Sequence, residues 1–94
     1  MISPELADIH FTVALMNKIF DVMLEGIEAD AHYFVTYRVV AASTEEAKSS
    51  ALKYAEDADE EILACEEIEG IDETDLPPGF LQKTGRSFFG TDDQ

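Results

Sequence analysis

The sequence predicts an α+β fold, in which a long N-terminal helix packs on a small sheet containing a strand–helix–strand unit. Three observations predict it. Apolar residues recur every three or four positions across residues 3–25, aromatic and β-branched residues fill 32–42, and an alanine-rich segment with a serine cap follows at 44–58. With 94 residues, 46% of them hydrophobic, the chain has material for one core, so residues 1–94 are read as a single domain with 91–94 fraying.

The first helix begins at Ser3, a good N-cap, with Pro4 at the first helical position and Glu5 at the positive end of the helix dipole. Leu6, Ile9, Val13, Met16, Phe20 and Met23 form one stripe, which Leu15, Ile19, Val22 and Leu24 widen, and Gly26 is placed to end it. His10 to Leu15 also alternate as a strand would; the cap and the glycine stop favour helix. The stripe is wider than a surface helix needs, and this raises the expectation of a homodimer through the 3–25 helix.

The run 32–42 is the clearest strand. Tyr33, Val35, Tyr37 and Val39 share one face, and Phe34, Thr36, Arg38 and Val40 the other. Both faces are apolar enough for a central strand or one covered by a helix. Ser43 followed by Glu46 is a capping box, and Ala47, Ala51, Tyr54, Ala55 and Ala58 give the second helix its apolar side. Residues 59–69 contain no breaker, so a helix continuing from 44 to 69 competes with a strand over 62–69. The strand is preferred because the 33–42 strand needs a pairing partner, and strand–helix–strand makes a parallel pair. The Pro77-Pro78-Gly79 stretch is a turn, and residues 85–90 supply a short edge strand or lay Phe88 and Phe89 on the core. Phe80, Phe88 and Phe89 are either core or an exposed contact patch, and core is preferred because a thin domain needs them.

Charge is the most informative feature. Twenty-one acids face six bases, a formal charge of −15. Such a field repels nucleic acid and anionic lipid and attracts basic protein surfaces. From Glu56 to Asp75 stand eleven carboxylates: Glu56, Asp57, Asp59, Glu60, Glu61, Glu66, Glu67, Glu69, Asp72, Glu73 and Asp75. No Lys, Arg or His occurs between Tyr54 and Gln82. Acids spaced about 5–6 Å on a helix or about 6.7 Å on a strand approximate the phosphate spacing of a nucleic-acid backbone. These eleven are the candidate partner-binding residues. Arg38 is expected to pair with one of them and so tie sheet to helix.

Catalytic and metal chemistry find little support. Asp57-x-Asp59-x-Glu61 opens like a calcium loop, but Ile62 and Ile68 stand where glycine and glutamate are needed. Cys65 lies beside Glu66 and Glu67, which disfavour its thiolate, so it is read as an inert, half-buried thiol. His10 and His32 are read as structural. No cofactor, metal or catalytic residue is assigned, and the chain is expected not to be an enzyme. A single cysteine, no apolar run long enough to span a membrane, and no signal-peptide pattern in residues 1–5 together suggest a cytoplasmic setting.

The segment 37–47, Tyr-Arg-Val-Val-Ala-Ala-Ser-Thr-Glu-Glu-Ala, looks like small strand–helix units common in phage and mobile-element proteins. In size and charge the chain resembles phage-encoded acidic inhibitors that mimic DNA, of the anti-CRISPR or anti-restriction type. That resemblance implies an inhibitor occupying the basic nucleic-acid-binding surface of a target in the host cytoplasm. It carries no residue roles. An immunity protein for a basic toxin nuclease and an oligomeric structural or adaptor domain are the alternatives.

Overall fold

In the computed structural model, residues 17–91 are described. They form β1 (Asn17–Glu28), β2 (Ala31–Ala41), α1 (Thr44–Asp57), β3 (Glu61–Thr74), β4 (Gly79–Lys83) and β5 (Ser87–Thr91). The sheet order is β3-β1-β2-β4, with β5 also pairing β2, and every pairing is antiparallel. Strand accounts for 62% and helix for 19% of the described residues, which form a sheet with one helix on it and not an α+β fold led by a long helix.

The expected 3–25 helix is therefore corrected. Residues 3–16 lie outside the described residues, and 17–25 belong to β1. The period is two: Phe20, Val22 and Leu24 are buried, with Ile19, Asp21, Met23 and Glu25 half-exposed between them. The helical reading arises because the second face also carries apolar residues, so spacings of three and four can be picked from either side. Pairing decides the outcome. β2 alone cannot satisfy its backbone, and a hairpin with β1 gives eleven register pairs, Lys18↔Ala41 to Glu28↔Ala31, without a shift. The stripe expected to support a homodimer through the 3–25 helix is thus, over 17–25, half of it the floor of the core.

The hairpin turns on Ala29 and Asp30, at φ 50° and 67°. Two consecutive left-handed residues make a type I′ turn, which suits the strand twist but favours Asn-Gly over Ala-Asp. Replacing the pair by Ala29→Asn with Asp30→Gly is expected to stabilise the domain by about 1 kcal/mol, read as a rise in thermal midpoint with unchanged circular dichroism.

The helix forms where expected. Ser43 Oγ accepts from Glu46 N–H at 3.2 Å, and the Glu46 carboxylate accepts from Ala42 N–H at 3.2 Å, one residue before the cap. Ala47, Ala51 and Ala55, one turn apart, are fully buried against Val22, Leu24, Tyr33, Val35, Tyr37 and Val39. Methyl side chains let the helix lie close on the sheet. Its end is a Schellman cap: Asp59 takes φ 61°, Asp59 N–H donates to Glu56 C=O at 3.0 Å and Glu60 N–H to Ala55 C=O at 2.9 Å. The cap turns the chain sharply into β3.

β3 is a strand, as preferred, and runs on to Thr74, but its partner is β1. Since β1 is antiparallel to both, β2 and β3 run parallel with β1 between them; the expected direct parallel pair is corrected. β3 carries three one-residue bulges, at Leu63, Glu66 and Ile71. On the other side, β4 and β5 share the edge of β2. Thr84 bridges the gap, its N–H donating to Thr36 C=O and its Oγ1 accepting from Thr36 N–H, both at 2.9 Å. Phe80, Phe88 and Phe89 are 46, 54 and 53% exposed, so they are rim residues and not core. They lie at the sheet edge: Phe80 packs on Tyr54 and Tyr37 and Phe88 on Tyr33 at the border of the helix-covered face, while Phe89 stacks on Phe34 on the open face.

Candidate protein-binding surface

The eleven belt acids fall on three consecutive elements. Glu56 and Asp57 end α1, Asp59 forms its cap, Glu61, Glu66, Glu67, Glu69, Asp72 and Glu73 line β3, and Asp75 follows it. Ten are exposed; Glu60 is buried. Through the register, Glu61, Glu67, Glu69 and Asp72 lie opposite Ile27, Met23, Asp21 and Ile19, on the sheet face away from the helix. Glu67 and Glu69 line a shallow depression there with Asp21, Met23 and Thr36. Among the described residues, no ion pair joins any of the ten exposed belt acids. The nearby acids of β1 differ. Asp21 accepts two hydrogen bonds from Arg38, at 2.8 and 2.9 Å, and Glu25 meets His32 Nδ1 at 2.8 Å. Arg38 thus ties β1 to β2 and not sheet to helix, because cross-strand pairing puts Asp21 directly opposite it.

β3 is an edge strand of fourteen residues, and acids and bulges are both devices that blunt such an edge against other strands. The acids at the end of α1 have no such local benefit. The last turn holds no basic residue, so Glu56 and Asp57 sit at the negative pole of the helix dipole, where each costs about 0.3–1 kcal/mol.

Glu60 plays a different part. Its side chain has no exposure, because the Schellman cap drives it under the helix end toward β2. Tyr33 Oη donates to Oε1 at 2.9 Å and Tyr37 Oη donates to Oε2. Arg86 Nε donates to Oε1 at 3.1 Å, and Lys83 Nζ lies 3.5 Å from Oε2. The Arg86 guanidinium also covers the Tyr33 ring at 4.7 Å and reaches Glu28 at 2.8 Å. Burial alone would push the Glu60 carboxyl up; the two hydroxyls and the two cations outweigh it and hold it below its usual range. Burial and the same carboxylate push the Tyr33 hydroxyl up to about 12, and Tyr37 shifts the same way. Glu60 therefore clamps helix, central strand and C-terminal segment. Two tyrosines four apart on a buried strand face need hydrogen-bond partners, and that was the sequence signal for it.

These shifts set two pH limits. An unfolded tyrosine ionises near pH 10, while folded Tyr33 keeps its proton to about 12, so unfolding releases protons there and stability falls as pH rises through that window. The depressed Glu60 carboxyl contributes stability above its ordinary value of 4.5, and that contribution is lost as pH falls through the depressed value. Thermal midpoints measured against pH should show both limbs. Glu60→Gln should remove its share of the acid limb, and an unchanged acid limb in that variant would contradict the assignment.

Cys65 is half-buried, opposite Leu24 and packed on the core. No helix among the described residues is long and apolar enough to cross a membrane. Fold and site together define a class: a small antiparallel sheet, covered on one face by a helix, whose acidic edge strand is presented outward. No protein-family model, curated protein or solved structure matches the chain.

Proposed function

We propose that this protein is an acidic binding module that occupies the basic, nucleic-acid-binding surface of another protein. One observation carries the reading: ten exposed carboxylates stand on α1, its cap, β3 and the residue that follows it, with no ion pair to any of them among the described residues. Edge protection accounts for acids on β3 but not for Glu56, Asp57 and Asp59, which stand on α1 and its cap. A longer uncompensated row repels itself and weakens folding, and a cationic partner relieves that repulsion. Fixed on a strand, the carboxylates meet arginines without any cost of ordering the backbone, and the field speeds encounter. A toxin nuclease neutralised by its immunity protein is one case of such a target.

Reversing Glu66, Glu67, Glu69 and Asp72 to lysine is expected to abolish capture of the co-purifying partner, with the fold intact by circular dichroism. For the unaltered protein, raising salt from 50 to 300 mM should weaken binding about tenfold or more, mostly through the association rate. Binding that is insensitive to both changes refutes the reading.

A further inference from the structure

At the C-terminal end of α1 an aromatic cleft opens, lined by Tyr37, Tyr54, Asp57, Ala58, Phe80 and Lys83 and enclosing about 280 Å³. That volume suits a side-chain head group and falls below the range of drug-sized ligand sites, about 300–1,000 Å³. The Phe80 ring lies 5.4 Å from Tyr54 at 57° and 6.2 Å from Tyr37 at 62°, and the residue is 46% exposed, so ring faces remain open to a guest.

The charges around the cleft say which guest. Lys83 is already committed: its Nζ sits 3.5 Å from the buried Glu60 carboxylate and 5.6 Å from the Tyr37 ring centroid. Among the described residues no cation pairs with Asp57, and the last helical turn holds no base. The carboxylate therefore adds to the negative pole of the helix, beside aromatic faces that attract cations. A flat cation satisfies both elements, stacking on a ring while its edge donates to the carboxylate; a guanidinium does this and an ammonium does it less well.

We infer that this cleft is a receptor for one arginine side chain of the basic partner, stacked on the exposed face of Phe80 beside Tyr54 and hydrogen-bonded to Asp57. This rests on the acidic-module reading and deepens it: the belt supplies attraction, and the cleft supplies the selective contact.

Calorimetric titration of the folded protein with capped octa-arginine and octa-lysine tests it. Octa-arginine should bind about tenfold more tightly than octa-lysine. Tyr54→Ala, Phe80→Ala and Asp57→Asn should each collapse that preference to about twofold or less while octa-lysine binding stays nearly unchanged. Glu67→Gln, the same charge change on the open face, should keep the preference. Phe80→Ala removes an exposed side chain, so a folding defect in Tyr54→Ala would leave a usable variant. A preference that survives Phe80→Ala and Asp57→Asn overturns the arginine cleft. In that case equal loss of both peptides on reversal of the β3 acids would leave the acidic module standing, whereas no binding of either peptide would remove both.

Discussion

Glu60→Leu should lower stability by about 3–5 kcal/mol, enough to leave much of the chain unfolded at 37 °C. The carboxylate is the shared acceptor of two tyrosine hydroxyls and the counter-ion of two cations. Lys83 and Arg86 are partly exposed and can turn to water. Tyr33 and Tyr37 cannot, since both are about 1% exposed or less. Each buried hydroxyl left without a partner costs about 1–3 kcal/mol, and the gain from burying a leucine does not offset two of them. The triple variant Glu60→Leu, Tyr33→Phe, Tyr37→Phe should recover much of the loss, because no buried polar group is then orphaned. Glu61→Gln, one residue on and exposed, should shift stability by no more than about 0.5 kcal/mol. Urea unfolding checks all three. A loss under about 1 kcal/mol for Glu60→Leu would show that the clamp does not organise the domain.

Gly26→Val should be the most damaging single change in the sheet. A strand glycine replaced by a β-branched residue ordinarily gains about 0.5–1 kcal/mol in backbone preference. Here a Cβ would stand 2.4 Å from Cζ and 2.5 Å from Oη of Tyr33, the cross-strand neighbour. The ring cannot yield easily. It is held by Glu60 at 2.9 Å, by Phe88 at 5.3 Å between ring centroids and by the Arg86 guanidinium. Overpacking then costs at least about 1–3 kcal/mol, and moving the ring also breaks the Glu60 cluster. Gly70, opposite Phe20 on the facing strand, is a built-in control: its added Cβ would meet nothing closer than 3.7 Å. Gly70→Val should therefore be tolerated, with a thermal midpoint well above that of Gly26→Val.

The same glycine explains what the sequence concealed. At the end of an apolar run, Gly26 reads as a helix stop, and its true requirement, space for a tyrosine ring seven residues later, is a tertiary fact. Phe20, Val22 and Leu24 alternate as a strand must, but Ile19, Met23 and Ile27 on the other face supply helical spacings as well. β2 and α1 were legible because each carries a local signature: both faces of residues 32–41, the Ser43–Glu46 cap, and alanines one turn apart. β3 was legible only through the need of β2 for a neighbour, and with β1 taken for a helix the wrong neighbour followed. Of the site, the exposure of ten acids could be expected from composition. The burial of Glu60 could not, since it stands in a run with Asp59 and Glu61 and only the cap geometry singles it out. Appetite for apolar area assigns the three rim phenylalanines to the core, but they stand on the edge strands β4 and β5, and Phe89 stacks on Phe34 on the face the helix does not cover.

The most direct measurement of the central claim is competition. Nucleic acid carrying a fluorescent label is bound to the captured partner, and this protein is added in increasing amount while anisotropy is read. An acidic module seated on the phosphate-binding surface predicts full displacement, with the four-lysine variant of β3 inert at the same concentration. A stable ternary complex, with the label still bound at saturation, would contradict it.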